Sequence, residues 1–284
     1  MSDFKMPNTA DEAPRLTDRT ALVRNRARAL AADTPALFVQ EAAIDEVQYR
    51  LGLVNRTFTD IAIVTGFPDL WQAAFPDARI VADDEVLDLQ VEAHDLVIHA
   101  MALHWANDPV GQLIQCRRAL RPDGFFLSVG FGGQTLAELR AALAEAEVEQ
   151  AGGLSPRILP MAEIRDLGAL LQRAGLALPV ADTLPLDVSY QTAFHLMRDL
   201  RAMGEANALH ARLRRPTRPS VLRRAAEIYH DHHADADGRI HATYELIFLT
   251  GWAPDASQPQ PKRPGSATMR LAEALNTQET KLPD

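Results

Sequence analysis

The feature that most restricts this chain is a change of hydrophobic period that repeats along its length. Short β-branched runs alternate with longer segments of helical spacing. Phe58 to Val64 (FTDIAIV) ends close to Gly66, Arg79 to Ala82 (RIVA) follows, and Asp95 to Ala100 (DLVIHA) and Phe125 to Val129 come later. Apolar runs this short read as buried strands. Helical patterns occupy 69–75, 108–120, 134–148, 160–173, 190–202 and 219–233, and two more lie within 19–53. Asp108 and Pro109 supply an N-cap and a first helical position. Arg121-Pro122-Asp123-Gly124 is a turn, because proline presets φ and glycine tolerates a positive one. Leu178 to Val188, interrupted by Pro179 and Pro185, reads as an edge strand, and Ile240 to Trp252 as a long final strand. Strands alternating with helices predict an α/β fold whose largely parallel sheet is covered on both faces.

The 284 residues, 47% hydrophobic and 24% charged, suffice for one such domain with extensions. It is expected over 17–252, after a flexible start at 1–16. A polar, proline-rich tail over 253–284 is expected to be disordered. A net charge of -9 argues against bulk nucleic-acid binding. The dense arginine run from Arg212 to Arg224 reads as a solvated loop and helix face, with a partner-binding patch as the alternative. Cys116, the single cysteine, supports no disulfide framework and reads as a buried, inert thiol. The opening MSDFKMPNTADEAPRL has no apolar core, and no apolar stretch reaches membrane-span length, so a cytoplasmic protein is expected.

In an open parallel sheet, ligands sit at the carboxyl ends of the strands near the point where strand order reverses. The candidate positions are therefore Thr65-Gly66-Phe67-Pro68, the segment from Met101 to Asp108, and Gly130-Phe131-Gly132-Gly133. Thr65-Gly66 reads either as a reduced cofactor loop or as an ordinary strand-to-helix turn with Pro68 opening the helix. His104 suits a general base or a group orienting a guanidinium, and Trp105 suits stacking on a cation; the pair also fits a packed aromatic lid. The three glycines fit a ligand-contacting loop or a hinged helix entry. His230, Asp231, His232, His233, Asp235 and Asp237 do not make a metal site. The calcium-loop spacing fails, and His230 and His233 give only two ligands on one helix face.

Residues 103–109 (LHWANDP), a helix, and 120–126 (LRPDGFF) resemble the core of class I S-adenosylmethionine (SAM) dependent methyltransferases. Further stretches resemble one branch of that superfamily. These are 131–175, Tyr190 with Phe194, Leu196, Met197, Asp199 and Leu200, then Met203-Gly204-Glu205, Ala242-Thr243-Tyr244, Gly251-Trp252, and Arg263 to Thr268. The branch is that of the methyltransferase-like assembly factor of respiratory complex I, an arginine hydroxylase in mitochondria. The malonyl-carrier methyltransferase of biotin synthesis is a more distant likeness. The resemblance implies a Rossmann-like methyltransferase sheet and a protein partner, a peripheral complex I subunit, carrying an arginine to be modified. It also implies SAM held by Thr65, Gly66, Asp83, Asp84, Met101 and Leu103, with the chemistry at His104 and Trp105 and no metal.

The sequence departs from that pattern at the first strand. The family's loop there is D-L-G-C-G-x-G, whose glycines let the backbone approach the cofactor. Here Thr65-Gly66-Phe67-Pro68-Asp69 keeps one glycine, and Pro68 has no N–H. Only 28 residues separate Gly66 from Asp95, room for one helix and one strand where the family fits two of each. The fold is thus expected to be reduced around its second and third strands. Asp83-Asp84-Glu85 match either the acidic turn after the third strand or the ribose-binding acid after the second. Two functions remain open at this stage: a SAM-dependent modifying enzyme, and an assembly protein that has lost the cofactor.

Overall fold

A computed structural model describes residues 15–259 and 269–277. The chain divides into two units, Met1–Pro254 and Asp255–Asp284. The expected flexibility of 1–16 falls outside the described residues for 1–14. The expected disorder of the tail does so for 260–268 and 278–284, as do all the matched positions from Arg263 to Thr268. In the second unit Leu271–Ala274 forms one helical turn.

The first unit opens with helices α1 (Arg19–Leu30) and α2 (Phe38–Leu53). Strand β1 (Ile61–Thr65), α3 (Pro68–Ala74), β2 (Arg79–Ala82) and β3 (His94–Ala100) follow. Next come α4 (Pro109–Ala119), β4 (Leu120–Phe131), α5 (Ala137–Ala151) and α6 (Ile164–Arg173). The unit ends with β5 (Ala177–Tyr190), α7 (Ala193–Ala202), α8 (Pro219–His233) and β6 (Ile240–Trp252). One six-stranded sheet runs β2-β1-β3-β4-β6-β5. Its first four strands are parallel, while β6 runs antiparallel to both β4 and β5. The two faces carry separate apolar layers, one around Ile63, Ile98 and Phe248, the other around Val64, Val97 and Leu113. Among the described residues no helix is long and apolar enough to cross a membrane.

Several boundaries differ from the sequence expectation for local reasons. β1 starts at Ile61 because the Asp95 carboxylate accepts the backbone N–H groups of Thr59 and Asp60 at 2.8 and 3.0 Å, bending the chain before the strand. The Arg121–Gly124 turn is real, with Asp123 at φ 60°, yet Leu120 already pairs with His94, so the turn is a register shift at the start of β4. α5 begins at Ala137 because Gly132 to Leu136 is pinned to β6. There Thr135 Oγ1 donates to the Gly132 carbonyl at 2.8 Å, and the Glu245 side chain accepts the Gln134 N–H at 2.7 Å. α6 and α7 each start a few residues late, the latter because β5 continues to Tyr190. β5 lies at the sheet edge, as its two prolines require.

β2 pairs directly with β1, Thr65 standing opposite Ala82, so Asp83 follows the strand next to β1. Among the described residues no strand lies beyond β2. Order reverses between β1 and β3, and the crevice at their carboxyl ends is the place to look for a site.

Candidate functional site

The loop after β1 is tied up by its own chain. Thr65 is buried, and its hydroxyl accepts the Phe67 N–H at 3.1 Å in a side-chain turn. Pro68 opens α3 and has no donor. Two of the amides that would face a ligand are therefore spent or absent. Phe67 points inward, fully buried beside Trp71. The ordinary-turn reading of Thr65-Gly66 describes this geometry.

The space in front of Gly66 holds a guanidinium. α1 is capped by Asp18, whose side chain accepts the Ala21 N–H, and its buried stripe is Ala21, Leu22, Asn25, Arg26 and Ala29. That stripe carries Arg26 into the crevice, where a Cβ on Gly66 would lie 2.0 Å from Arg26 Nη1. Arg26 Nη1 donates to Asp83 Oδ2 at 2.8 Å, and Arg19 donates through both terminal nitrogens to the same carboxylate at 3.1 and 3.2 Å. The Arg26 and Asp83 side chains are 5% and 7% exposed, so the pair is dry and its coupling strong. Burial opposes ionisation of Asp83, but the charge of Arg26 and the bonds from Arg19 outweigh it and hold the carboxyl well below the usual carboxylate range. Asp84 is exposed and takes only a longer contact of 3.5 Å from Arg19.

A second acid reaches the same crevice from α7. That helix ends in a Schellman motif. Gly204, at φ 81°, donates to the Arg201 carbonyl, and the Glu205 N–H reaches back to the Leu200 carbonyl at 3.0 Å. The matched Met203-Gly204-Glu205 is thus a helix C-cap, and it turns the Glu205 side chain inward. Glu205 Oε2 accepts the Trp105 indole N–H at 2.7 Å and stands 3.6 Å from His104 Nε2. Burial alone would raise the Glu205 carboxyl; the His104 ring, the Arg26 charge and the Trp105 bond instead hold it below its ordinary value. The other imidazole nitrogen, His104 Nδ1, faces the Phe131 N–H at 3.4 Å.

The remaining expected site residues divide. Met101 follows β3 at φ 50° and is fully buried in the core layer, so its side chain packs and does not line the crevice. Leu103 is buried and lines an apolar cavity with His104, Ser128 and Phe131. His104 and Phe131 separate this cavity from a second, walled by Leu139, Met197, Leu200 and Tyr244. Of the glycines, Gly132 packs against Ile247 and Gly133 against Glu245, while Gly130 faces His104. No metal-ligating cluster occurs among the described residues. Cys116 is buried, and burial pushes its thiol up. Sequence reasoning missed Arg19, Arg26 and Glu205. The one signal for Arg26 is its place on the apolar stripe of α1.

A profile described as "Methyltransferase domain" matches residues 44–128. The arginine-hydroxylase NDUFAF5 of Homo sapiens mitochondria is 40% identical over 202 residues, covering 71% of this chain and 58% of that protein. The malonyl-[acyl-carrier protein] O-methyltransferase of Laribacter hongkongensis is 34% identical over 65% of this chain and 59% of its own. A Rickettsia prowazekii protein named as a methyltransferase is 30% identical over 57% of this chain and 73% of its own. The chain spans about three fifths of the length of the first two relatives. Among solved structures, the YcgJ protein of Bacillus subtilis shares the fold with a TM-score of 0.50 at 12% identity, over 74% of this chain and 99% of that one. A parallel sheet that reverses order beside Gly66, an acid closing the strand next to it, and sequence identity of this extent lead to one conclusion: the chain belongs to the class I SAM-dependent methyltransferase superfamily.

Proposed function

We propose that this protein binds a partner during the assembly of respiratory complex I, and that it keeps the methyltransferase sheet without holding SAM. The partner is a peripheral subunit met at the cytoplasmic face of the membrane. The identity to NDUFAF5, and the likeness of residues 131–175 and 190–252 to the complex I assembly branch, support the first half.

One observation carries the second half: Arg26 lies against Gly66 and is bonded to Asp83, on the wall of a cavity of about 490 Å³ that Thr65, Gly66 and Asp83 also line. SAM needs the approach to Gly66 for its carboxypropyl group and that acid for its ribose. The residues present do not fit it. The amide of Phe67 is bonded to Thr65, Pro68 has none, and the Asp83 carboxylate is held by two guanidinium groups.

Modification of a partner's arginine at His104 and Trp105 is the second reading. It is favoured by Glu205, an ionised buried carboxylate of the kind that pairs with a guanidinium, bonded to the Trp105 indole.

Two measurements on the intact chain test the proposal. Calorimetric titration with SAM should give no binding up to about 1 mM, whereas a Kd of about 10 μM would overturn the loss of the cofactor. Affinity capture from cells after crosslinking should recover a peripheral complex I subunit, and its absence would overturn the assembly role. Mass spectrometry of that subunit separates the second reading. An arginine modification that disappears with the gene supports it.

A further inference from the structure

The arginine run that reads as a solvated face has a neighbour that the sequence did not reveal. Residues 198–224 hold eight arginines against two acids, in a chain whose net charge is -9. Some of this charge is neutralised within the fold: Arg212 pairs with Asp18 at 2.9 Å and Arg224 with Glu149 at 2.6 Å. Arg201, Arg215 and Arg218 are exposed and have no carboxylate partner among the described residues. Arg201 lines the second cavity, about 170 Å³, whose walls carry Leu139, Leu143, Met161, Met197 and Leu200, with Glu205 among its polar lining residues. Arg157, also lining it, donates to Thr217 Oγ1 at 2.8 Å, which ties the segment carrying Arg215 and Arg218 to the cavity wall.

A largely apolar cavity with Arg201 in its lining, and Arg215 and Arg218 on a segment tied to its wall, has a definite complement. We infer that this face docks an acidic segment of a protein partner, which places one large apolar side chain in the cavity and sets its carboxylates against Arg201, Arg215 and Arg218. Methionines on two walls suit such a site, because their unbranched side chains adapt to the entering group. The apolar anchor supplies affinity, and the charges select acidic partners and speed the encounter. A simple solvated face would not need the cavity, and a core defect would not need the cations. The inference rests on the reading of the chain as a protein-binding factor and adds where the partner sits and what chemistry it presents.

The test uses the intact chain and a fluorescein-labelled peptide of Glu, Asp and Leu with one central Phe, read by fluorescence anisotropy. The expected Kd is on the order of 10 μM at low salt, weakening as salt rises. The double variant Arg215→Glu/Arg218→Glu, whose side chains are exposed, should bind at least about tenfold more weakly. Replacing the peptide's Phe by Ser should cost a similar factor, and this arm needs no change to the protein. The inference is overturned if the charge-reversal variant binds as well as the parent, or if the Ser peptide does. It also fails if phosphatidylglycerol vesicles or single-stranded DNA bind the parent more tightly than the peptide. Capture of the complex I subunit by the charge-reversal variant separates the two proposals. Undiminished capture sinks this surface and leaves the assembly role standing; no capture by the parent sinks the assembly role while the peptide result still decides the surface.

Discussion

Replacing Arg26 by Met removes the guanidinium in front of Gly66 and keeps most of the side-chain volume. Taking one partner from a buried ion pair costs about 3–5 kcal/mol when the other is left with nothing. Asp83 is not left with nothing: Arg19 keeps both its bonds to the carboxylate, at 3.1 and 3.2 Å. Arg26 also makes a single hydrogen bond, its Nε and Nη2 donating to no described group, so part of its own desolvation is uncompensated. The loss should therefore be smaller, about 2 kcal/mol. In a domain of this size that lowers the Tm by about 4–8 °C. Asp83→Asn removes the shared negative charge and one of its two acceptor oxygens, leaving two guanidinium groups without a counter-charge, and should cost more, about 3–5 kcal/mol.

Urea unfolding of the parent, both single variants and the double variant, followed by circular dichroism, closes a double-mutant cycle. A coupling of about 2 kcal/mol is expected between positions 26 and 83. Additivity within about 0.5 kcal/mol would refute the claim that Arg26 is the built-in partner of Asp83. The pH dependence gives a second check with a definite sign. The folded Asp83 carboxyl is depressed, so its contribution is fully present above the ordinary aspartate range and is lost as pH falls through that range toward the folded value. The parent should lose this stability on acidification and Asp83→Asn should not.

Three further outcomes follow from the same geometry. Gly204→Ala must hold φ 81° and bring a Cβ to 3.0 Å from Arg26 Cα, so a loss of about 1–3 kcal/mol in urea unfolding is expected. Glu205→Gln removes the buried charge that accepts the Trp105 indole N–H; it should cost about 1–3 kcal/mol at neutral pH and shift tryptophan emission, and unchanged emission would argue against the contact. His241 lies between Asp187 at 2.8 Å and Asp235 at 3.1 Å, and these two carboxylates raise its pKa. Its favourable contribution is present below the ordinary histidine pKa and fades as pH rises through the folded one; an NMR titration should find it above the ordinary value and lower in Asp187→Asn.

What the sequence disclosed and what it withheld have a common physical basis. The strands were legible because each is a local apolar run, as in Ile61–Thr65 and His94–Ala100, and period alone identifies such runs. The turn at Arg121–Gly124 was legible because Pro and Gly fix backbone angles without outside help. Its effect on register was not, since that depends on which residue of β3 lies opposite. The site fared worse for the same reason. Arg26 is one of four arginines in α1, and only its place on the apolar stripe separates it locally from Arg19, Arg24 and Arg28. It is set apart by Asp83, 57 residues away, as Trp105 is by Glu205, 100 residues away. Met203-Gly204-Glu205 was visible as a matched motif, but its role as a helix cap that aims a carboxylate needs the fold.

On the proposed loss of SAM binding, the single glycine of the β1 loop, the short interval to β3 and the inward arginine belong together. An acid that closes the strand beside β1 is buried by the architecture, whether or not a ligand arrives to satisfy it. A buried carboxylate without a partner costs several kcal/mol, so such an acid persists only if it is bonded in the resting chain. With the Phe67 amide bonded to Thr65 and Pro68 lacking one, a cation supplied by the chain itself satisfies the acid without a bound nucleoside. α1 provides two, Arg19 from the rim and Arg26 from within. On this view Asp83 is kept as the anchor that fastens the N-terminal helix across the carboxyl end of the sheet. An Asp83→Leu/Arg26→Leu chain puts the idea at risk: apolar replacement of a buried pair is often neutral or stabilising, so this variant should keep the fold and most of the stability that Asp83→Asn loses. If it unfolds as readily as Asp83→Asn, the carboxylate has a role that α1 does not explain.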